Sequence, residues 1–576
     1  MSDMSESRIC QNCKQNFVIE PDDFSFYEKI KVPPPTFCPE CRTIRRLCWR
    51  NEMSLFRRKC DVPGHKEMLI SFYPPEEKLV IYDSKSWWGD GWDALSYGRE
   101  YDFSKSFFEQ WKELRDVFPL QHLSNSNATN SDYCNIAEDS KNSYMSSGSW
   151  KIEQTHYSNR IFFTKDSSDL YIVQNSELCY DDVMCSDCYH LMYSLNCKNC
   201  VDSYFLYDCI GCTDCFGCSN LRNKSYCIWN EQFSREEYKS RLEEMNLMDF
   251  NVIEKFKLHF KEIYLKSIHR FATQIKCVNS TGENLNGVKN CKSCFDSSGQ
   301  IEDSKYVHWS KMNLKDTYDS GPGVGMGELM YETFDTGIGN FRNLFTSVVY
   351  SSNDIEYCFN CHGSSNLFGC IGLRNKKYCI LNKQYTKEEY EELVISIKKQ
   401  MMEVPYVDKK GIVYKYGEFF PSELSPFCYN ETQAQDYFPT TREKALENGY
   451  RWRDRKNTEY QITIKAKDLP DNFDDNKIDI TKEVIGCLHE ENCQDRCKGA
   501  YKIIEDELNL YKRLGVPLPR LCFFCRHESR LRMRTPMKLW HRSCMKEGCT
   551  NEFETSYAPE RPEIVYCEKC YQQEVY

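Results

Sequence analysis

Twelve cysteines sit at spacings that suit the binding of a metal ion. Cys10-x2-Cys13 is followed, across the turn Val32-Pro33-Pro34-Pro35, by Cys38-x2-Cys41, and Cys493-x3-Cys497 is followed by Cys522-x2-Cys525. A third set, Cys544-x4-Cys549 with Cys567-x2-Cys570, encloses the turn Ala558-Pro559-Glu560-Arg561-Pro562. A two-residue gap lets one tight turn aim two thiolates at one ion, and two such turns close a tetrahedral site. Four thiolates leave no place for water, so the expected ion, zinc, holds structure and does no chemistry. These sets predict about three zinc ions per chain. Redox use of the Cys-x-x-Cys pairs is the alternative.

The first two sets are copies of one module. From Cys13 to Arg42 and from Cys497 to Arg526, 11 of 30 aligned residues are identical, including Tyr27/Tyr511, Pro33/Pro517 and Pro35/Pro519. The stretch from Cys10 to Arg46, with its Cys-Pro-Glu-Cys-Arg second knuckle, resembles a zinc-ribbon family known only as a domain of unassigned function. The order of the whole chain is similar to uncharacterised bacterial proteins with several ribbons. The resemblance implies zinc at Cys10, Cys13, Cys38 and Cys41 and no known activity.

Between the ribbons the chain is duplicated: Phe216–Tyr238 recurs as Phe368–Tyr390 with 15 of 23 positions identical. Each copy ends in a capping box, Ser234 with Glu237 and Thr386 with Glu389, which starts a helix. Upstream, aromatics recur among Asp, Asn, Ser and Gly, from Tyr133 to Tyr226 and from Phe295 to Tyr378. This rhythm suits a parallel β-solenoid, in which stacked turns bury what one turn cannot. Cysteines follow it at steps of nine, as in Cys179, Cys188 and Cys197. One reading is a stack of interior thiols acting as small hydrophobes. The other is further metal at Cys197-x2-Cys200 with Cys209, Cys212, Cys215 and Cys218. Three-residue steps cannot all face inward from an alternating strand, so some of these thiols are expected outside.

Each of the two copied ribbons is followed by arginines. Arg42, Arg45, Arg46, Arg50, Arg57 and Arg58 follow the first, and Arg526, Arg530, Arg532 and Arg534 the second. Such segments suit phosphate contact, which makes RNA or the ribosome the first expected partner. The alternative is pairing with acids of the same chain; a protein partner or self-assembly is the other class of function. Arg451-Trp452-Arg453-Asp454-Arg455 adds a smaller basic patch, and Thr440 to Glu443 starts a short helix. The aromatic stretch from Tyr73 to Trp111 holds Asp90, Asp93 and Asp102 and suggests either a plug over the first solenoid turn or a carbohydrate-acting site. Cys60 and His65 stand near Cys48 at loose ligand spacing. Ser320–Gly327 reads as a turn, because no Lys-Ser/Thr ending follows its glycines.

With 576 residues, several domains are expected. The mean hydropathy of -0.67 and the lack of long apolar runs argue against a membrane protein of apolar helices. No secretory signal is visible at the N-terminus, so reduced thiols and a cytoplasmic setting are expected for the 34 cysteines. A net charge of -11 leaves only local patches for nucleic acid. The expected protein is mainly β: a duplicated parallel β-solenoid-like centre with helical inserts, flanked by small four-cysteine zinc ribbons. Its order is ribbon 1 (1–47), aromatic connector (48–125), solenoid half A (126–232), helical insert (233–276), solenoid half B (277–384), helix (385–403), linker (404–485), ribbon 2 (486–535) and ribbon 3 (536–576). The expected role is non-catalytic binding.

Overall fold

The computed structural model describes residues 5–454, 460–472, 478–489, 493 and 496–576. The protein is mainly β, and two long ladders of parallel strands dominate it. The first runs from strand Asn125–Ser126 to strand Ser225–Ile228, with each strand paired to the next in sequence. Its register advances 12 residues per strand: Asn125 faces Ala137, Trp150 faces Phe162, and Thr213 faces Ser225. The second ladder runs from Gln274–Ile275 to Lys377–Ile380, opens at a step of 11, and mixes steps of 12 and 13. Each ladder closes with a short antiparallel strand, Glu231–Gln232 or Lys383–Gln384.

The backbone explains how such short strands stack. From Ile136 to Trp229 in the first ladder every third residue has positive φ, as at Asn196, Asn199, Asp202, Phe205 and Asp208. A left-handed residue at each third position turns the chain, so the inward period is three rather than the two of a straight strand. Cys200, Cys209, Cys212, Cys215 and Cys218 are all fully buried, which corrects the expectation that some of these thiols lie outside. They line one interior with Leu170, Val173, Leu191 and Leu206.

Inward Ser and Cys make the same bonds. The Ser158 hydroxyl donates to the His156 carbonyl at 2.8 Å and accepts from the Leu170 N–H at 3.0 Å, one step along the ladder. Ser203 does the same toward Val201 and Cys215. Cys188 donates its S–H to the Ser186 carbonyl at 3.1 Å, and Cys185 to Val183 at 3.3 Å. Burial pushes the Cys185 thiol up to about 12, so it stays protonated. None of the first ladder's interior sulfurs joins a metal-sized group among the described residues. The stacked-thiol reading fits this region.

The helices form where the capping boxes place them. Ser234 and Glu237 cap helix Arg235–Glu244, and Thr386 and Glu389 cap helix Lys387–Glu403. The short linker helix is Arg442–Glu447, capped by Thr441 rather than Thr440. Connector residues Asn51 and Glu52 accept from Asn135 at the start of the first ladder, while the connector's aromatics pack elsewhere. Phe107 lies 5.1 Å from Tyr357 and 5.3 Å from Phe368, near the far end of the second ladder. Asp93 caps a short helical turn through Leu95 N–H, and Asp102 accepts from Ser104 N–H. Among the described residues no helix is long and apolar enough to cross a membrane.

Candidate metal centres and the arginine helices beside them

Three quartets of cysteine sulfurs come together, each with all four atoms within 4.8 Å of one another: Cys10, Cys13, Cys38 and Cys41; Cys487, Cys497, Cys522 and Cys525; and Cys544, Cys549, Cys567 and Cys570. The separations identify their chemistry. Sulfurs about 2.3 Å from a tetrahedral zinc stand about 3.8 Å apart. The observed distances are 3.7 Å for Cys13–Cys38, 3.7 Å for Cys497–Cys522, 3.8 Å for Cys487–Cys525 and 3.9 Å for Cys549–Cys567. A disulfide requires about 2.05 Å. The donor sets fit zinc, with all four positions filled by protein.

The same local fold aims the sulfurs in each site. Cys38, Cys522 and Cys567 each stand at the N-terminus of a helix, Pro39–Leu47, Phe523–Leu531 or Glu568–Val575, and the fourth ligand lies one turn inside. The backbone N–H of that cap residue donates to the first sulfur of its site at 3.3 Å: Cys38 to Cys10, Cys522 to Cys487, and Cys567 to Cys544. The first cysteine donates its own N–H to a carbonyl beyond the knuckle: Cys10 to Gln15, Cys487 to Gly499, and Cys544 to Asn551. The N–H bonds to sulfur favour thiolate over thiol. Hydrogen bonds from Cys38 and Cys41 draw the Cys10 thiol down. Cys567 is held at about 6 against its burial, with the Asn551 amide foremost among the groups that lower it.

This pattern corrects one ligand. Sequence spacing placed Cys493 beside Cys497, whereas the hydrogen bonds make Cys487 the counterpart of Cys10 and Cys544. Cys493 lies 3.1 Å from His489 Nδ1 and 3.5 Å from Cys525, on the side of the quartet. Cys487 is not legible from spacing, because the segment between the first two ligands is longer in this ribbon than in the other two.

The arginines beside the first two sites are not a free surface. Arg42, Arg45 and Arg46 are fully buried on the helix that carries Cys41, and they meet acids of the second ladder. Arg42 pairs with Asp319 at 2.8 Å, Arg45 with Glu332 at 2.6 Å and Glu418 at 2.8 Å, and Arg46 lies 3.7 Å from both Asp319 and Glu332. Arg50 pairs with Glu52 and Asp335. The second ribbon repeats the arrangement on the first ladder: Arg526 and Arg530 meet Asp169 at 2.9 and 2.8 Å, and Arg530 lies 3.5 Å from Asp181. Against its burial, Arg526 and Arg530 hold the Asp169 carboxyl below the usual range.

The equivalence extends to detail. Arg42 donates to the Phe37 carbonyl and Arg526 to the aligned Leu521 carbonyl. Tyr27 meets Tyr331 edge-on at 5.5 Å, and the aligned Tyr511 meets Tyr180 at 5.7 Å. The N-terminal ribbon thus docks on the second ladder and the later ribbon on the first.

The expected nucleic-acid residues are corrected accordingly. Arg42, Arg45, Arg46, Arg50, Arg526 and Arg530 are buried in ion pairs, and a guanidinium so enclosed cannot reach a phosphate without unpacking. Arg58 is buried against the Pro74 and Leu79 carbonyls, and Arg534 contacts Tyr171 and the Asp436 carbonyl. Arg57 and Arg532 are exposed. Arg451 and Arg453 pair with Glu77 and Glu431; Arg455 lies outside the described residues. Apart from Glu52 beside Arg50, no signal within the arginine segments reveals this burial, since the partner acids Asp319, Glu332, Glu418 and Asp169 lie hundreds of residues away in sequence.

The third ribbon joins the ladders. Its strand Ile564–Tyr566 pairs in parallel with Ile268–Arg270, ahead of the second ladder, and Arg270 bonds Glu568. Tyr571 reaches Asp208 of the first ladder. Cys48, which sequence spacing set near Cys60 and His65, is buried instead among Leu47, Tyr429 and Tyr437.

Comparison with known proteins finds no matching family model and no matching curated relative.

Proposed function

We propose that this protein is a non-catalytic, zinc-dependent scaffold, in which each ladder is one turn-by-turn β-solenoid and each of the first two zinc ribbons holds an arginine helix that fastens one ladder. The observation that carries this reading is the repeated pairing of ribbon arginines with ladder acids, Arg42 and Arg46 near Asp319 and Arg526 and Arg530 near Asp169. Zinc sets the start of each arginine helix, and the helix sets the guanidiniums. The reduced thiols this requires suit the cytoplasm.

The macromolecule displayed to is a protein partner or a second copy rather than RNA. The basic residues best placed to bind phosphate are committed inside the molecule, and the chain carries a net charge of -11. The paired-carboxylate alternative loses its support where Asp93 and Asp102 satisfy local backbone N–H groups.

Two measurements test the proposal. Chelation should release zinc and separate the ribbons from the ladders, seen as new protease cleavage beside Arg46 and Arg530. An intact cleavage pattern in metal-free protein would refute it. RNA mixed at low salt should show no salt-sensitive binding; affinity that falls steeply with added salt would return RNA as the partner.

A further inference from the structure

Apart from the three quartets and the ribbon sulfurs around them, another group of ligand atoms converges at the aromatic connector. Cys60 follows strand Phe56–Lys59, His65 stands in the turn after it, and Asp83 precedes helix Ser84–Trp88. Cys60 Sγ lies 3.7 Å from His65 Nδ1 and 3.6 Å from Asp83 Oδ2, and His65 Nδ1 lies 3.3 Å from that same oxygen. In a tetrahedral zinc site, sulfur stands about 3.6 Å from a nitrogen or oxygen ligand, and nitrogen about 3.3 Å from oxygen. All three edges match one face of that tetrahedron.

Hydrogen bonding explains the arrangement less well. The Cys60 thiol and the His65 ring can each donate to Asp83 Oδ2, but neither bond requires sulfur and ring nitrogen to converge on each other, as they do at 3.7 Å. A cation between them satisfies all three. The surroundings hold the ligands in place: Asp83 Oδ1 accepts from the Ser86 N–H, which leaves Oδ2 for the ion. The Cys60 N–H is fixed to the Glu67 carbonyl and the His65 N–H to the Val62 carbonyl. Among the described residues no fourth His, Cys, Asp or Glu joins the group, and His65 is exposed.

We infer that Cys60, His65 and Asp83 bind a divalent ion of the zinc class and leave its fourth position open to water or a small anionic or imidazole ligand. One sulfur, one imidazole and one carboxylate form a donor set of this class, and three protein ligands with an open position distinguish the site from the closed quartets.

The test uses the full chain loaded with zinc, freed of excess metal and assayed for ions per chain. His65→Ala, at an exposed turn, and Cys60→Ser should each lose one ion per chain with far-ultraviolet circular dichroism unchanged. In cobalt-substituted protein, added azide should shift the visible spectrum of the unaltered chain and not that of His65→Ala. Equal ion content in the unaltered chain and both variants would overturn the site. A lost ion with no azide response would overturn the open position. Failure of the three quartets would lower all the proteins equally and leave the difference between them intact.

Discussion

At the second ribbon, two sulfurs stand near Cys525, and the backbone distinguishes them. Cys487 receives the Cys522 N–H, as Cys10 receives that of Cys38, whereas Cys493 faces His489. Cys487→Ser should therefore cost one zinc ion per chain and lower Tm, and Cys493→Ser should leave the three quartets filled; the reverse result would assign the ligand to Cys493. Buried imidazoles contribute to the acid response. Burial holds His156 and His269 down at about 4, so both stay neutral in the fold. Their folded pKa lies below the unfolded value near 6.5, so stability is full above that value and declines as pH falls toward 4, by about 3 kcal/mol for each group. Zinc-saturated His156→Gln should show a shallower loss in urea unfolding over this window, and an unchanged slope would contradict the assignment.

Among the elements, the helices and the metal knuckles were the most legible in sequence. The capping boxes at Ser234 and Thr386 use local chemistry three residues apart, and both form as read. The interior of the ladders was less legible, because alternation assumes a straight strand while a left-handed residue at every third position resets the direction of the side chains. The burial of Arg42 and Arg530 was not legible locally: a guanidinium on a ribbon helix looks the same whether it meets phosphate or an aspartate far along the chain. The ladder geometry makes a prediction of its own. Cys215 donates to the Thr213 carbonyl as Ser203 donates to Val201, so Cys215→Ser should cost under about 1 kcal/mol, while Cys215→Leu should cost about 1–3 kcal/mol by overpacking. Urea unfolding of the two variants checks the order, and equal costs would argue against a tightly filled interior.

Over the whole molecule, the crossed docking ties sequence-distant parts together. The first ribbon fastens the second ladder, the second ribbon fastens the first ladder, and the third ribbon reaches both. Replacing Asp169 by alanine would leave Arg526 and Arg530 without their shared carboxylate in the interior. That loss should destabilise the protein by about 3–5 kcal/mol, because a charge stripped of its partner keeps its desolvation penalty. Removing exposed Lys141, which pairs with Glu153, should change stability by less than about 1 kcal/mol. Similar losses in the two variants would show that the buried pairs do not join the ribbon to the ladder.

The most direct measurement is ion content per chain followed by thermal unfolding before and after chelation, under reducing conditions. The account predicts at least three zinc ions, held by the three sulfur quartets, and a large fall in Tm once they are removed. Metal-free protein that melts unchanged, or quartet sulfurs recovered as disulfides, would contradict it.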